Sequence, residues 1–204
     1  GREDGNKKGE FCAIFFNKYK YNLLDASTFW LSNTPEKVSI GWDAALERIC
    51  TYALLETIEG KDKIWVFNTH FDHLGNVARE ESAKLLLEKI TSLNLYNYPV
   101  ILMGDFNATK DSKVISILRK YLTDTMLDSD TKHRGPNGTY NNFLNKQNII
   151  KRIDYIFSRS FQTISHQHIY KKLENGNHIS DHLPVFVKVK TVSYTHLRAH
   201  ETTN

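Results

Sequence analysis

Two cysteines, Cys12 and Cys50, are all that the sequence holds, too few for a disulfide framework or a cysteine-based zinc centre. Buried free thiols are the simpler reading, and they do not set the compartment. No run approaches the ~18 to 20 consecutive apolar residues that cross a bilayer; the longest are short stretches such as residues 100–103. The amino end lacks an initiator Met and a basic-then-apolar leader, since residues 1–10 are polar and charged. The chain therefore reads as truncated at its start, and the missing leader carries little weight. Strong charge of one sign is absent too: 27 Lys and Arg against 23 Asp and Glu give +4. That mild bias suits a phosphate-bearing partner and falls far short of a histone-like density. Three catalytic signatures are also missing, namely a helical His-Glu-x-x-His zinc motif, a serine nucleophile elbow and a phosphate-cradling glycine loop.

What is present is an ordinary globular balance. In 204 residues, 40% are apolar and 25% charged, with a mean hydropathy of -0.47; this excludes disorder and a collagen-like fibre and favours one domain. Residues 11–16 and 21–30, rich in aromatic and β-favouring side chains, predict a hairpin around residues 17–20. Residues 49–58 and 63–71 predict a second, turning at Gly60. Over residues 76–93 the period changes: Ala83, Leu86, Leu87, Ile90 and Leu93 recur at three and four, which predicts an amphipathic helix. Residues 98–103 read as a buried strand and residues 111–122 as a second helix capped by Asp111 or Ser112. A polar loop follows at 128–148, then strands at 152–158, 163–170 and 183–189. The class is mixed αβ, with a largely antiparallel or mixed sheet. Residues 191–204 continue none of these patterns and resemble translated sequencing adapter, so the domain is placed at 1–190 and the tail, with His196 and His200, is set aside as non-native.

Four polar clusters stand where strands are expected to end: residues 68–73, 104–107, 152–155 and 180–182. Asp105 and Asn107, two apart after a buried strand, point to one side if the strand geometry persists and together can hold a water or a phosphoryl oxygen. A turn exploiting Gly104, Asp105 and Asn107 is the plainer alternative. Asp181 can bind a hard divalent cation while His182 handles protons or charge. Asp154 is expected within hydrogen-bond reach of His182, fixing its tautomer. Rich in Asp, Asn and His and free of sulfur ligands, the set favours metal-assisted attack of water on a phosphate ester.

The ordered motifs Thr69-His70, Gly104-Asp105-Phe106-Asn107, Ile153-Asp154-Tyr155 and Ser180-Asp181-His182 resemble the endonuclease/exonuclease/phosphatase superfamily over residues 9–190. The resemblance implies a four-layered α/β sandwich of two packed mixed sheets, incomplete at its N-terminal side. It implies Mg²⁺ or Mn²⁺ as cofactor. Carried over position by position, it makes Asp105 and Asn107 the pair that orients water and contacts phosphate, His182 the base or charge stabiliser, Asp154 its partner, Asp181 a metal ligand and His70 a phosphate contact. Arg48, just before the strand at Ile49, reaches phosphate or lies on the surface. The superfamily's metal-binding glutamate is expected upstream of Gly1, since neither Glu3 nor Glu10 has an apolar-strand context. The implied activity is a phosphodiesterase or nuclease acting by in-line water attack, with nucleic acid as one partner class. Tyr96, Tyr98, Tyr140 and Phe143 are candidate stacking surfaces. The alternatives are a phosphomonoesterase, a sphingomyelinase-like lipase, or an inactive binding relative.

Overall fold

The turn at residues 58–62 shows how the local sequence sets the frame in the computed structural model, which describes residues 1–144 and 148–192. Lys61 takes a left-handed φ of 57°. The Thr57 N–H donates to the Asp62 carbonyl at 2.8 Å, and the Asp62 N–H donates to Thr57 Oγ1 at 2.9 Å. This closes the hairpin of β2 (Ile49–Thr57) and β3 (Lys63–His70). β1 (Tyr21–Trp30) pairs antiparallel with β2 as a largely exposed edge. β3 runs parallel to β4 (Val100–Asp105). A parallel pair needs a crossover, and α1 (Asn76–Leu93) provides it. β6 (Asp154–Arg159) lies antiparallel to β4, with the short β5 (Thr123–Asp124) outside it. The sheet order is β1-β2-β3-β4-β6-β5. At Ser160, φ 63°, the chain turns from this sheet into a two-stranded antiparallel one, β7 (Phe161–His168) and β8 (Val185–Thr191).

Helices cover one face of the large sheet. The three- and four-residue spacing of α1 buries Ala83, Leu86 and Ile90 against Trp65, Phe67, Leu102 and Phe157, at roughly 1.5–3 kcal/mol for each large apolar side chain removed from water. α2 (Lys113–Arg119) adds Val114, Ile115 and Leu118 to the same core. Ser112 caps it by accepting from the Ile115 N–H, and the helix is shorter at both ends than expected. On the other face Ile64, Val66, Ile101 and Met103 border a cleft shared with Phe161 and Val189. Among the described residues the layers are thus helices, large sheet and two-stranded sheet. No helix among them is long and apolar enough to cross a membrane.

Three expectations change. Residues 11–16 form no strand: Phe15 is 95% exposed, and the Asn68 side-chain amide donates to the Ala13 carbonyl in place of a ladder. The polar stretch after residue 128 is fastened rather than free, because the Asp130 and Arg134 N–H groups donate to the Thr163 and His166 carbonyls of β7. β8 runs Val185–Thr191 where residues 183–189 were expected; residues 145–147 of the loop and 193–204 of the tail lie outside the described residues. Cys12 and Cys50 are both buried and free.

Candidate active site

Register places three of the expected residues abreast. His70 on β3 pairs with Asp105 on β4, and Asp105 pairs with Asp154 on β6. Partners at one register position lie side by side on the sheet. Gly104 permits the close β3–β4 approach just before this row: at its φ of +144° a Cβ would stand 1.9 Å from the Thr69 carbonyl oxygen. Beyond the row the Phe71 N–H donates to the Asp105 carbonyl at 2.8 Å and the Phe106 N–H to the Ile153 carbonyl at 2.9 Å. Phe71 and Phe106, both buried, meet edge to face beneath.

Asn107 reaches Asp105 by a different route from the one expected. The strand ends at Asp105, and Asn107 turns left-handed with φ 46°. Its backbone N–H donates to Asp105 Oδ1 at 2.8 Å. Its side-chain amide donates to the Phe71 carbonyl at 3.0 Å and to Asp105 Oδ2 at 3.3 Å. The carboxylate is fixed by a turn and not by strand alternation.

His182 arrives from the far end of the fold, 28 residues after Asp154, and its Nδ1 donates to Asp154 Oδ2 at 2.8 Å. Thr139 holds the two together. Its hydroxyl oxygen accepts from the Ile153 and Asp154 N–H groups at 3.1 and 3.2 Å, while its carbonyl accepts from the Leu183 N–H at 2.7 Å. The Tyr140 ring meets the His182 imidazole edge to face, 5.1 Å between centroids. With Nδ1 committed, His182 presents Nε2, 3.9 Å from Asp181 Oδ2.

These placements shift the ionisations. Burial, then the Asp154 charge, pushes Asp105 up to about 6 despite the Asn107 N–H. For His182, burial works downward, but the hydrogen bond to Asp154 and the charges of Asp154, Asp105 and Asp181 overcome it and raise the pKa. Burial and the Arg48 charge lower His70 to about 4, leaving a neutral imidazole between Asp105 and Glu10, each 3.3 Å away.

Arg48 is not on the surface. It is 4% exposed, with Nε 3.3 Å from Asp72 Oδ1 and Nη2 3.0 Å from His73 Nδ1. Nη1 has no hydrogen-bond partner among the described residues and lies 3.7 Å from Glu10 Oε2. Asp72 is bound up in structure: it accepts from the Leu74 and Gly75 N–H groups. Burial raises its pKa, yet these donors and Arg48 bring it down to about 2.

Glu10, Thr139 and the Tyr140 contact with His182 were not legible as site features in the sequence. Glu10 reaches Arg2 at 2.6 Å, Arg48 and His70; only the fold joins residues so far apart in the chain. Of the aromatic candidates, Tyr140 borders the site. Tyr96 and Tyr98 stack on one another before the opposite end of β4, and Phe143 is exposed.

A divalent cation fits this chemistry. One ligand atom each from Asp105, Asp154 and His182 lies within 4.8 Å of the others. The Asp105 pKa, raised by burial first and then by the Asp154 charge, is one that a bound cation would lower. Asp181, with its side chain 42% exposed, stands beside this group and not in it.

The chain is similar in sequence and fold to known proteins. A family model described as Endonuclease/Exonuclease/phosphatase family matches residues 5–182. A solved mannosyl-6-phosphatase of Bacteroides thetaiotaomicron is 36% identical, with a TM-score of 0.86 over 93% of this chain and 74% of its own. An endonuclease/exonuclease/phosphatase from Bacteroides vulgatus is 30% identical, also at 0.86, over 94% of this chain and 74% of its own. An uncharacterized protein of Acanthamoeba polyphaga mimivirus is 30% identical over 85% of this chain and 68% of its own length. With the family model running from the first turns through the Asp154–His182 pair, the chain belongs to the endonuclease/exonuclease/phosphatase family of phosphoesterases.

Proposed function

We propose that the chain hydrolyses phosphate esters with the help of a divalent cation, Mg²⁺ or Mn²⁺, by in-line attack of water. The observation that carries this reading is the row of His70, Asp105 and Asp154 across three strands, with His182 fixed on Asp154 at 2.8 Å. Asp105 and Asp154, with Asp181 alongside, would hold the cation, which supplies charge neutralisation at a phosphoryl oxygen. Asp105 and Asn107 orient the attacking water. His182 keeps one proton on Nδ1 toward Asp154 and, when charged, offers Nε2–H to the charge that develops in the transition state. Arg48 Nη1, which has no hydrogen-bond partner among the described residues and lies 3.7 Å from Glu10 Oε2, and His70 would contact phosphate oxygens.

For the leaving group, the activity named for the 36%-identical relative, a mannosyl-6-phosphatase, favours a sugar phosphomonoester. A diester or nucleic-acid substrate is the second reading, supported by the Tyr140 ring beside His182 as a stacking surface. The test is a panel of mannose 6-phosphate, a simple phosphodiester, plasmid DNA and RNA, each with Mg²⁺ and with chelator. Metal-dependent release from mannose 6-phosphate above all others supports the first reading. Turnover of none in either condition contradicts the proposal as a whole.

A further inference from the structure

We propose that His133, His166 and His168 form a second metal site, independent of the phosphoester site, that takes a borderline divalent cation of the Zn²⁺ type through three imidazole nitrogens. His166 and His168 are two apart on β7, so strand alternation sends both to one face. His133 comes down on them from the preceding loop. Ring centroids lie 5.1, 4.5 and 5.1 Å apart for the three pairs. One nitrogen from each lies within 4.8 Å of the other two. Tetrahedral zinc with nitrogen ligands at ~2.0–2.1 Å spaces those ligands about 3.3 Å apart, a small ring rotation away.

The protons can be placed. A carbonyl only accepts, and the Pro136 carbonyl lies 3.0 Å from His133 Nε2 and 2.7 Å from His168 Nδ1. Both nitrogens therefore carry hydrogen, leaving His133 Nδ1 and His168 Nε2 as lone pairs. His133 Nδ1 is 2.9 Å from His166 Nδ1, which must be the donor, so His166 Nε2 is a lone pair as well. The Nε2 atoms of His166 and His168 are both buried and without a hydrogen-bond partner among the described residues. The Nε2 lone pairs of His166 and His168 are free, while that of His133 Nδ1 accepts from His166 Nδ1–H, a hydrogen bond that an entering cation would replace; a backbone carbonyl taking the other N–H of two rings is how histidine ligands to a metal are oriented. Imidazole without sulfur suits Zn²⁺, Ni²⁺ or Co²⁺ over Mg²⁺. Arg152 adds positive charge nearby, but Asp124 pairs with it at 2.6 and 3.0 Å. The site fastens residues 133–136 onto β7, a few residues before Thr139 and Tyr140, which hold Asp154 and touch His182.

The test uses the full chain, stripped of metal and titrated with Zn²⁺ by calorimetry and with Co²⁺ by visible absorption. His196 and His200 are replaced by Ala throughout, so that they do not compete. The expected result is a site with nitrogen-type Co²⁺ absorption, separate from any cation taken up at Asp105 and Asp154. His133→Ala weakens it at least ~100-fold, whereas Asp154→Asn changes it less than about threefold. Zn²⁺ raises the melting temperature of the parent chain but not that of His133→Ala. Because a histidine variant can perturb folding, the NMR ring resonances of His166 and His168 are followed on the parent chain as Zn²⁺ is added, and both should shift at one equivalent. Unmoved resonances, unchanged binding in His133→Ala, or binding lost in Asp154→Asn each overturn the assignment.

Discussion

Asp105 and Asp154 face each other as register partners across the β4–β6 ladder, two carboxylates at one position of neighbouring strands. Each has a different counterweight: Asp154 has the His182 imidazole, and Asp105 has the Asn107 N–H and the neutral His70. Of the two, Asp105 is pushed up to about 6, by burial first and then by the Asp154 charge.

That asymmetry costs stability. A carboxylate whose folded pKa lies above its unfolded value binds its proton more tightly in the folded state. Its contribution is present below pH ~3.8 and is lost as pH rises toward 6. Asp105→Asn removes the charge while keeping an acceptor for the Asn107 N–H, so it should stabilise the fold by about 1–3 kcal/mol at pH 7.5. Urea unfolding of the two proteins at pH 7.5 and pH 4 measures this, and the gain should shrink at the lower pH.

Activity should fall at alkaline pH as His182 loses its proton above its ordinary 6.5. Asp154→Asn removes the group that raises His182, so the alkaline limb should move to lower pH. Titration of the His182 ring by NMR should show the same displacement, as a readout separate from turnover.

Asp72 is expected to matter for folding and not for chemistry. Its folded pKa of about 2 lies below the ordinary value, so its stabilisation is present above pH ~3.8 and lost as pH falls through 2. Asp72→Ala leaves the buried Arg48 guanidinium without its carboxylate and two N–H groups without an acceptor. A loss of about 3–5 kcal/mol is expected, read as a lower urea midpoint with an unchanged slope.

Gly104→Ala should also fail structurally, because the added methyl meets the Thr69 carbonyl and must part β3 from β4 in the row that holds His70 and Asp105. Lower melting temperature and reduced yield of folded protein are the expected outcome.

Local periodicity made much of the frame readable. The α1 stripe from Ala83 to Leu93 needed only the 3.6-residue repeat, and Gly60 with its charged neighbours marked the β2–β3 turn. Residues 11–16 misled because β propensity reports how side chains fit a covered, paired surface, and this segment has no ladder. Within the site, residues at strand ends were legible: His70, Asp105, Asp154 and His182 follow or open apolar runs. Arg48 was ambiguous because position beside a strand does not fix burial. Glu10 and Thr139 carried no local signal, since each matters through partners many residues away. The His-x-His of β7 did carry one, in its two-residue spacing, but its third member, His133, is joined only by the fold.

The most direct measurement is phosphate release from mannose 6-phosphate and from a simple diester by the chain and by His182→Ala, with Mg²⁺ and with chelator, at matched folded fractions judged by circular dichroism. The account predicts metal-dependent hydrolysis that falls by at least ~10² in His182→Ala. Hydrolysis that persists undiminished in His182→Ala, or that ignores the chelator, would contradict it.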